Sequence, residues 1–195
     1  MISPRRLIVT GWTSDAWRFV AAKTSPAMAR YALKHGVSFR EGPLRKTSRP
    51  ASWSKLIAIA SGLADYEEVL WIDSDVAVHN MDHNLFTEVP PYAPQAAVRM
   101  RCPTFGDHWN MGVWLVRRPM LPTIVEACMK DDLVHNPWWE QAAINELSET
   151  VGPGFHPLHR SWNAWRDDCG GEVRFFHACG LSTPEEKLAA LEKWL

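Results

Sequence analysis

The residues best placed to do chemistry are two aspartates, Asp73 and Asp75, that end the apolar run Val69-Leu70-Trp71-Ile72. At neutral pH both carboxylates are charged, and charge at the end of a buried strand needs water, a cation or a basic partner. Two hard oxygen donors this close together suit a divalent cation such as Mg2+ or Mn2+, which in turn suits a phosphate. Taken alone, Asp-Ser-Asp is more simply a solvated acidic turn, so a functional reading needs partners from elsewhere in the chain. His177, carried by the apolar strand Val173 to Phe176, is one candidate. By itself it also reads as a buried, hydrogen-bonded core histidine.

The elements that must position these residues follow from apolar periodicity. Leu7 to Thr10 reads as a first strand, with Gly11 opening a turn at its end. Ser25-Pro26 reads as an N-cap with proline in the first turn of a helix that stops at His35-Gly36. A second strand spans Val37 to Arg40, and residues 41–51 form a basic, Gly/Pro-rich loop. Trp53, Leu56, Ile57, Ala60, Leu63 and Ala64 mark one face of the next helix, with Ser52 as its cap. That helix leads into the aspartate strand. The order β-α-β-α-β implies an α/β fold with a parallel, Rossmann-like sheet, whose ligands bind outside the carboxyl ends of the strands.

Beyond the aspartates, Asn84-Leu85-Phe86 is a short turn, Ala96 to Met100 a strand and Thr104 to Trp109 a loop. Asn110 to Val116 is a strand with Gly112 near its start, where a ligand or another backbone comes close. Pro122 to Lys130 is a helix. Asn136-Pro137 caps another, Trp138 to Leu147, which carries Glu140 and Gln141 in its first turn. Phe155 to Leu158 is a short strand, Trp162 to Trp165 is irregular, and Thr183 opens a capping box for the terminal helix.

Composition narrows the classes further. The 195 residues fit one domain. A formal net charge of -1 gives no global field for nucleic acid or anionic membrane. Eleven tryptophans are an excess that fits sugar or base recognition, although most will be core. The four cysteines lack CxxC spacing and are expected to be reduced, as in a cytosolic protein. There is neither a signal-like leader nor an apolar run of about 18 residues that would span a membrane.

Four landmarks, in order, resemble the GT-A-fold glycosyltransferases that retain anomeric configuration, namely the galactosyl/xylosyltransferases and the lipopolysaccharide galactosyltransferases. They are Trp53-Ser54-Lys55 leading to the Asp-x-Asp strand, then Asn110-Met111-Gly112-Val113, Trp139 to Asn145, and Phe176-His177-Ala178-Cys179-Gly180. The resemblance implies a single GT-A domain over residues 1–195 with a mostly parallel central sheet flanked by helices. It implies transfer of a hexose or pentose from a nucleotide-diphospho-sugar, UDP by family weight, to an acceptor hydroxyl. Asp73, Asp75 and His177 would hold Mn2+ or Mg2+. Asn110, Glu140 and Gln141 would line the donor-sugar pocket, and Thr10, Gly11, Lys55, Asp73, Gly112 and Gly180 would bind the nucleotide diphosphate.

The chain departs from the family's pattern in one place. The lysine that commonly follows His-x-x-Gly is missing, and the nearest, Lys187, lies inside the last helix. Arg45, Lys46 or Arg49 would then have to supply the phosphate contact. The acceptor is open among a glycan, a lipid-linked sugar, a protein and, less favoured, a modified nucleic-acid base. A cytoplasmic enzyme of prokaryotic or viral origin is expected. Two other readings compete. One is a haloacid-dehalogenase-like phosphatase drawing on Asp131-Asp132 or Asp167-Asp168, although Ala77 stands where that motif has threonine. The other is non-enzymatic, a GT-A domain that binds sugar or nucleotide without turnover or a Trp-rich carbohydrate-binding module.

Overall fold

The structure, a computed structural model, describes residues 4–102, 106–150, 154–165 and 171–195. Its elements are β1 (Arg6–Trp12), α1 (Asp15–Lys34), β2 (Ser38–Pro43), α2 (Ser54–Asp65), β3 (Glu68–Ile72), β4 (Val76–Val78), α3 (Leu85–Glu88) and β5 (Gln95–Cys102). They continue with β6 (Gly106–Arg117), α4 (Leu121–Cys128), α5 (Glu140–Thr150), β7 (His156–Leu158), β8 (Phe175–His177) and α6 (Pro184–Leu191). Six strands form one sheet in the order β2-β1-β3-β6-β5-β7, and β4 pairs with β8 in a separate ribbon. Three of the five pairings in the large sheet are parallel; the two made by β6, to β3 and to β5, are antiparallel.

β3 explains the continuous apolar run. All five of its residues are buried between helix layers, as expected for a central strand covered on both faces. Its one charged residue, Glu68, is neutralised by Arg6 at 2.6 Å and Arg117 at 2.7 Å. Alternate side chains divide between two cores. Leu70 and Ile72 pack with Met28 and Tyr31 of α1, while Val69 and Trp71 pack with Leu56, Ile59 and Leu63 of α2. Trp53, Trp71, Trp114 and Trp162 are all fully buried, so much of the tryptophan excess is packing.

Several boundaries differ from the sequence expectation. α1 begins at Asp15, ten residues before Ser25-Pro26, and Pro26 lies inside it. Proline normally breaks a helix interior. Here Val20, Ala21 and Thr24 upstream and Ala27, Met28 and Tyr31 downstream bury one continuous face, and that packing holds the helix together across the missing hydrogen bond. β2 runs on to Pro43 because it stays in register with β1 as far as Trp12. Ser52 lies in the 3₁₀ turn Ala51–Trp53 and does not cap α2, which starts after Trp53. Asn84-Leu85-Phe86 opens a four-residue helix whose first turn is capped by the Asn84 side chain. The capping box at Thr183–Glu186 is present as expected. The loop expected at Thr104 to Trp109 is in part the start of β6, and in part lies outside the described residues. No helix among the described residues is long and apolar enough to cross a membrane.

Candidate active site

The Asp-Ser-Asp turn sits where β3 leaves the sheet and the chain crosses to the β4–β8 ribbon. Its backbone is pinned from three sides. Asp73 N–H donates to Gly112 of β6 at 2.8 Å, Val76 N–H closes the turn onto Asp73 O at 3.1 Å, and Thr24 of α1 donates its hydroxyl to Ser74 O at 2.7 Å. The ribbon then sets the third partner. Val76 is paired with His177, and Ala178 N–H donates to Asp75 O at 3.0 Å. Strand register thus brings residue 177 beside residue 75.

The three side chains converge. His177 Nε2 lies 3.4 Å from Asp75 Oδ1 and 3.8 Å from Asp73 Oδ2. One ligand atom from each lies within 4.8 Å of the other two, the only such Asp/Glu/His/Cys group among the described residues. That spacing, and a set of two carboxylates with one imidazole, fit a divalent cation whose ligand bonds are about 2.0–2.2 Å. Two ammonium groups flank the cluster. Lys55 Nζ bridges Asp73 Oδ1 and Glu140 Oε1, both at 3.0 Å. Lys187 Nζ donates to Asp75 Oδ2 and, at 2.7 Å, to Ala178 O. Burial alone would raise the Asp75 carboxyl. The His177 imidazole and the Lys187 ammonium outweigh it and hold that carboxyl well below the usual range. Burial would likewise lower Lys55, but Asp73 and Glu140 reverse this and keep it charged.

In front of the cluster lies a cavity of about 370 Å³, lined among others by Gly11, Trp12, Trp17, Lys55, Asp73, Asp75, Trp139, Glu140 and Gln141. Gln141 Oε1 accepts from Met111 N–H at 2.8 Å, leaving its NH2 end as the donor. Glu140 is 1% exposed, and its Oε2 has no hydrogen-bond partner among the described residues. An unmatched buried acceptor costs about 1–3 kcal/mol, so this oxygen is suited to a ligand hydroxyl. Gly11 lets the chain after β2 come close, since a Cβ there would lie 2.5 Å from the Leu44 side chain.

Other expected site residues do different work. Thr10 is 2% exposed, its hydroxyl has no partner among the described residues, and it is absent from the cavity wall. Asn110 is not part of that wall either; its Oδ1 accepts from Gly112 N–H at 2.8 Å and from Asn163 Nδ2 at 2.7 Å. Gly112 does have a close neighbour, the imidazole of His177, which a Cβ would overlap. Gly180, at φ 75°, makes the left-handed turn after β8 and lies outside the cavity wall. Arg49 is committed elsewhere, to Asp131, Lys130 O and the Trp53 ring. Among the described residues no second acidic pair of a phosphatase lines the cavity. Asp131 pairs with Arg49 away from the cavity wall, and Asp167-Asp168 lies outside the described residues. Sequence reasoning passed over Asn163, which holds His177 Nδ1 at 2.9 Å, and discounted Lys187. The only advance signal for Lys187 was the lysine that the resemblance lacks after Gly180.

The sequence matches no protein-family model and no curated protein. Solved structures do match. A glycosyltransferase involved in glycosylation of the major capsid of PBCV-1 superposes with a TM-score of 0.75 at 20% identity, covering 95% of this chain and 98% of that one. The galactosyltransferase LgtC, in complex with donor and acceptor sugar analogs, superposes at 0.60 with 14% identity and 96% of both chains. Mouse xyloside xylosyltransferase 1 superposes at 0.54 with 12% identity, over 92% of this chain and 98% of that one. At such identities the shared property is three-dimensional, and it covers nearly the whole chain: this protein has the GT-A fold of the glycosyltransferases.

Proposed function

We propose that the protein is a metal-dependent glycosyltransferase that moves a hexose or pentose from a nucleotide-diphospho-sugar to an acceptor hydroxyl. The observation that carries this is the convergence of Asp73, Asp75 and His177 on one point, with Asp73 and Asp75 lining a cavity of about 370 Å³ and His177 set behind its wall. Asp73 Oδ2, Asp75 Oδ1 and His177 Nε2 would hold Mn2+ or Mg2+. When bound, the cation supplies positive charge to the departing nucleoside diphosphate. UDP is the expected nucleotide, on resemblance.

The chain's own residues do the rest. Lys55 keeps Asp73 and Glu140 in fixed relation across the floor. Glu140 Oε2 and the Gln141 amide present an acceptor and a donor, which is what selection among sugar hydroxyls requires. Trp139, 47% exposed at the cavity wall and held at φ 48°, offers a flat apolar face at the mouth. The C1–O bond to the diphosphate breaks as the acceptor oxygen bonds to C1 from the same face. The acceptor proton passes to the departing phosphate oxygen, so configuration is retained.

Thermal unfolding with a panel of nucleoside diphosphates, with and without Mn2+, tests the reading. A ligand at 100 times its Kd stabilises by about 2.7 kcal/mol, and for a chain this long each kcal/mol moves Tm by about 2–4 °C. A metal-dependent rise of about 5–11 °C with UDP is expected, and should vanish in Asp75→Ala together with UDP release from a donor sugar. Stabilisation by UDP without metal dependence, or an active Asp75→Ala, would overturn the assignment. An inverted product would overturn retention alone.

A further inference from the structure

An imidazole has two nitrogens, and a neutral ring can offer only one lone pair. Which nitrogen of His177 is free for a cation can be read from the hydrogen bonds behind it, starting from a group with only one role. Gly112 N–H is a backbone amide and must donate; it meets the Asn110 side chain at 2.8 Å, so the atom it meets is the carbonyl oxygen Oδ1. The Asn163 atom 2.7 Å from that oxygen must then be a donor, the NH2 group. The other end of the same amide is therefore a carbonyl oxygen, and it lies 2.9 Å from His177 Nδ1. An acceptor facing Nδ1 requires a proton on Nδ1. Nε2, on the opposite side of the ring, faces Asp75 Oδ1 and Asp73 Oδ2, 3.4 and 3.8 Å away, and is the nitrogen whose lone pair a cation held between those oxygens would take.

Neither link can flip at low cost. Asn163 is fully buried, Asn110 is 7% exposed and His177 5%. Turning either amide would set two donors or two acceptors face to face inside the protein, at about 1–3 kcal/mol each. The segment carrying Asn163 is itself tied to β8, through Ala164 N–H to Phe175 O at 2.9 Å and Arg174 N–H to Ser161 O at 2.9 Å. Gly112 leaves room for the ring to lie against β6.

We infer that Asn163 is a positioning residue that locks His177 as the Nδ1–H tautomer and makes Nε2 the ligand atom, with Asn110 and Gly112 as the upstream links that fix the Asn163 amide. The tautomer lock stands on the hydrogen bonds alone; its use in cation binding rests on the proposed function. A hydrogen-bonded partner on the far nitrogen of a ligating histidine is worth about 10–100-fold in metal affinity.

The test is long-range 1H–15N correlation NMR on metal-free protein labelled in histidine, at alkaline pH where an imidazole is neutral. The His177 signals are assigned from the His177→Gln spectrum. Wild type is expected to show Nδ1–H, and Asn163→Ala a tautomer mixture with Mn2+ affinity, measured by titration calorimetry, lower by about 10–100-fold. Asn163→Asp retains an acceptor for Nδ1–H and is expected to restore the tautomer, although it sets a second acceptor against Asn110 Oδ1. An Nε2–H wild type overturns the inference, and this readout needs no variant to fold. So does an Asn163→Ala protein with unchanged tautomer and unchanged Mn2+ affinity. Nδ1–H in a wild type that binds no Mn2+ upholds the lock and removes the metal reading instead.

Discussion

Lys187→Met removes one charge from the site while keeping the aliphatic stem. The Lys187 and Asp75 side chains retain only 8% and 10% of their surface, and the ammonium has two acceptors, Asp75 Oδ2 and Ala178 O. Removing one partner of a buried ion pair costs about 3–5 kcal/mol, because the other charge is left uncompensated. Asp75 also lines the cavity, where water can solvate part of the charge left behind. The low end, about 3 kcal/mol, is therefore expected. For 195 residues that is a Tm lower by about 6–12 °C. Mn2+ should then stabilise the variant more than the wild type, since the ion supplies the compensation that the ammonium provided and no longer meets its repulsion. UDP binding in the presence of Mn2+ should weaken. Calorimetric unfolding with and without Mn2+ decides the matter: a variant that melts with the wild type, or gains no more from Mn2+, refutes the reasoning.

Asp75→Asn should flatten the acid limb of the stability profile. The Asp75 carboxyl is depressed by His177 and Lys187 against the opposing effect of burial. Its stabilisation is thus complete above the unfolded value of about 3.9 and lost as pH falls below it; urea midpoints from neutral to acid pH measure the difference. Gly112→Ala should lower stability by about 1–3 kcal/mol through overpacking. It should also weaken Mn2+ binding, because the new methyl overlaps the His177 ring; thermal unfolding and calorimetric titration read the two effects. Cys179, its thiol pushed up to about 11 by burial and then by the Asp75 charge, should be alkylated at least about 10-fold more slowly than a free thiol at mildly alkaline pH. The folded form keeps the proton, so this group's stabilisation is present below the ordinary thiol range and lost as pH rises toward 11.

What could be read in advance was whatever leaves a local mark. β3 announced itself as an unbroken apolar run, and α6 through its capping box. Asp73, Asp75 and His177 stood out because each follows an apolar strand and their order resembles a known set. Asn110 and Gly112 were expected at the donor sugar and the diphosphate, while their contacts are with Asn163 and His177, because spacing along β6 cannot show what lies across the strand. Asn163 left no mark, and Lys187 only an indirect one, the lysine missing after Gly180. Asn163 sat in a stretch without periodicity, and Lys187 meets a carboxylate 112 positions away, a pairing that exists only once α6 has docked. The start of α1 was hidden for the opposite reason. Pro26 is a strong local signal, and the buried face on both sides of it prevails.

The charge count of the assembled cluster explains why nucleotide binding should depend on metal. Asp73, Asp75 and Glu140 bring three carboxylates, and Lys55 and Lys187 two ammonium groups, each already hydrogen-bonded to a carboxylate. Without a cation the cavity floor carries one net negative charge and has no uncommitted lysine at its centre, so a diphosphate is repelled. A divalent cation reverses the sign. Glu140→Gln tests this directly, because it brings the metal-free cluster to neutrality and releases part of the hold on Lys55. Metal-free UDP binding, expected to be undetectable in the wild type, should then become measurable by calorimetry at low salt and weaken as salt is raised. If Glu140→Gln binds metal-free UDP no better than the wild type, the metal dependence does not arise from this charge balance, and direct coordination alone must account for it.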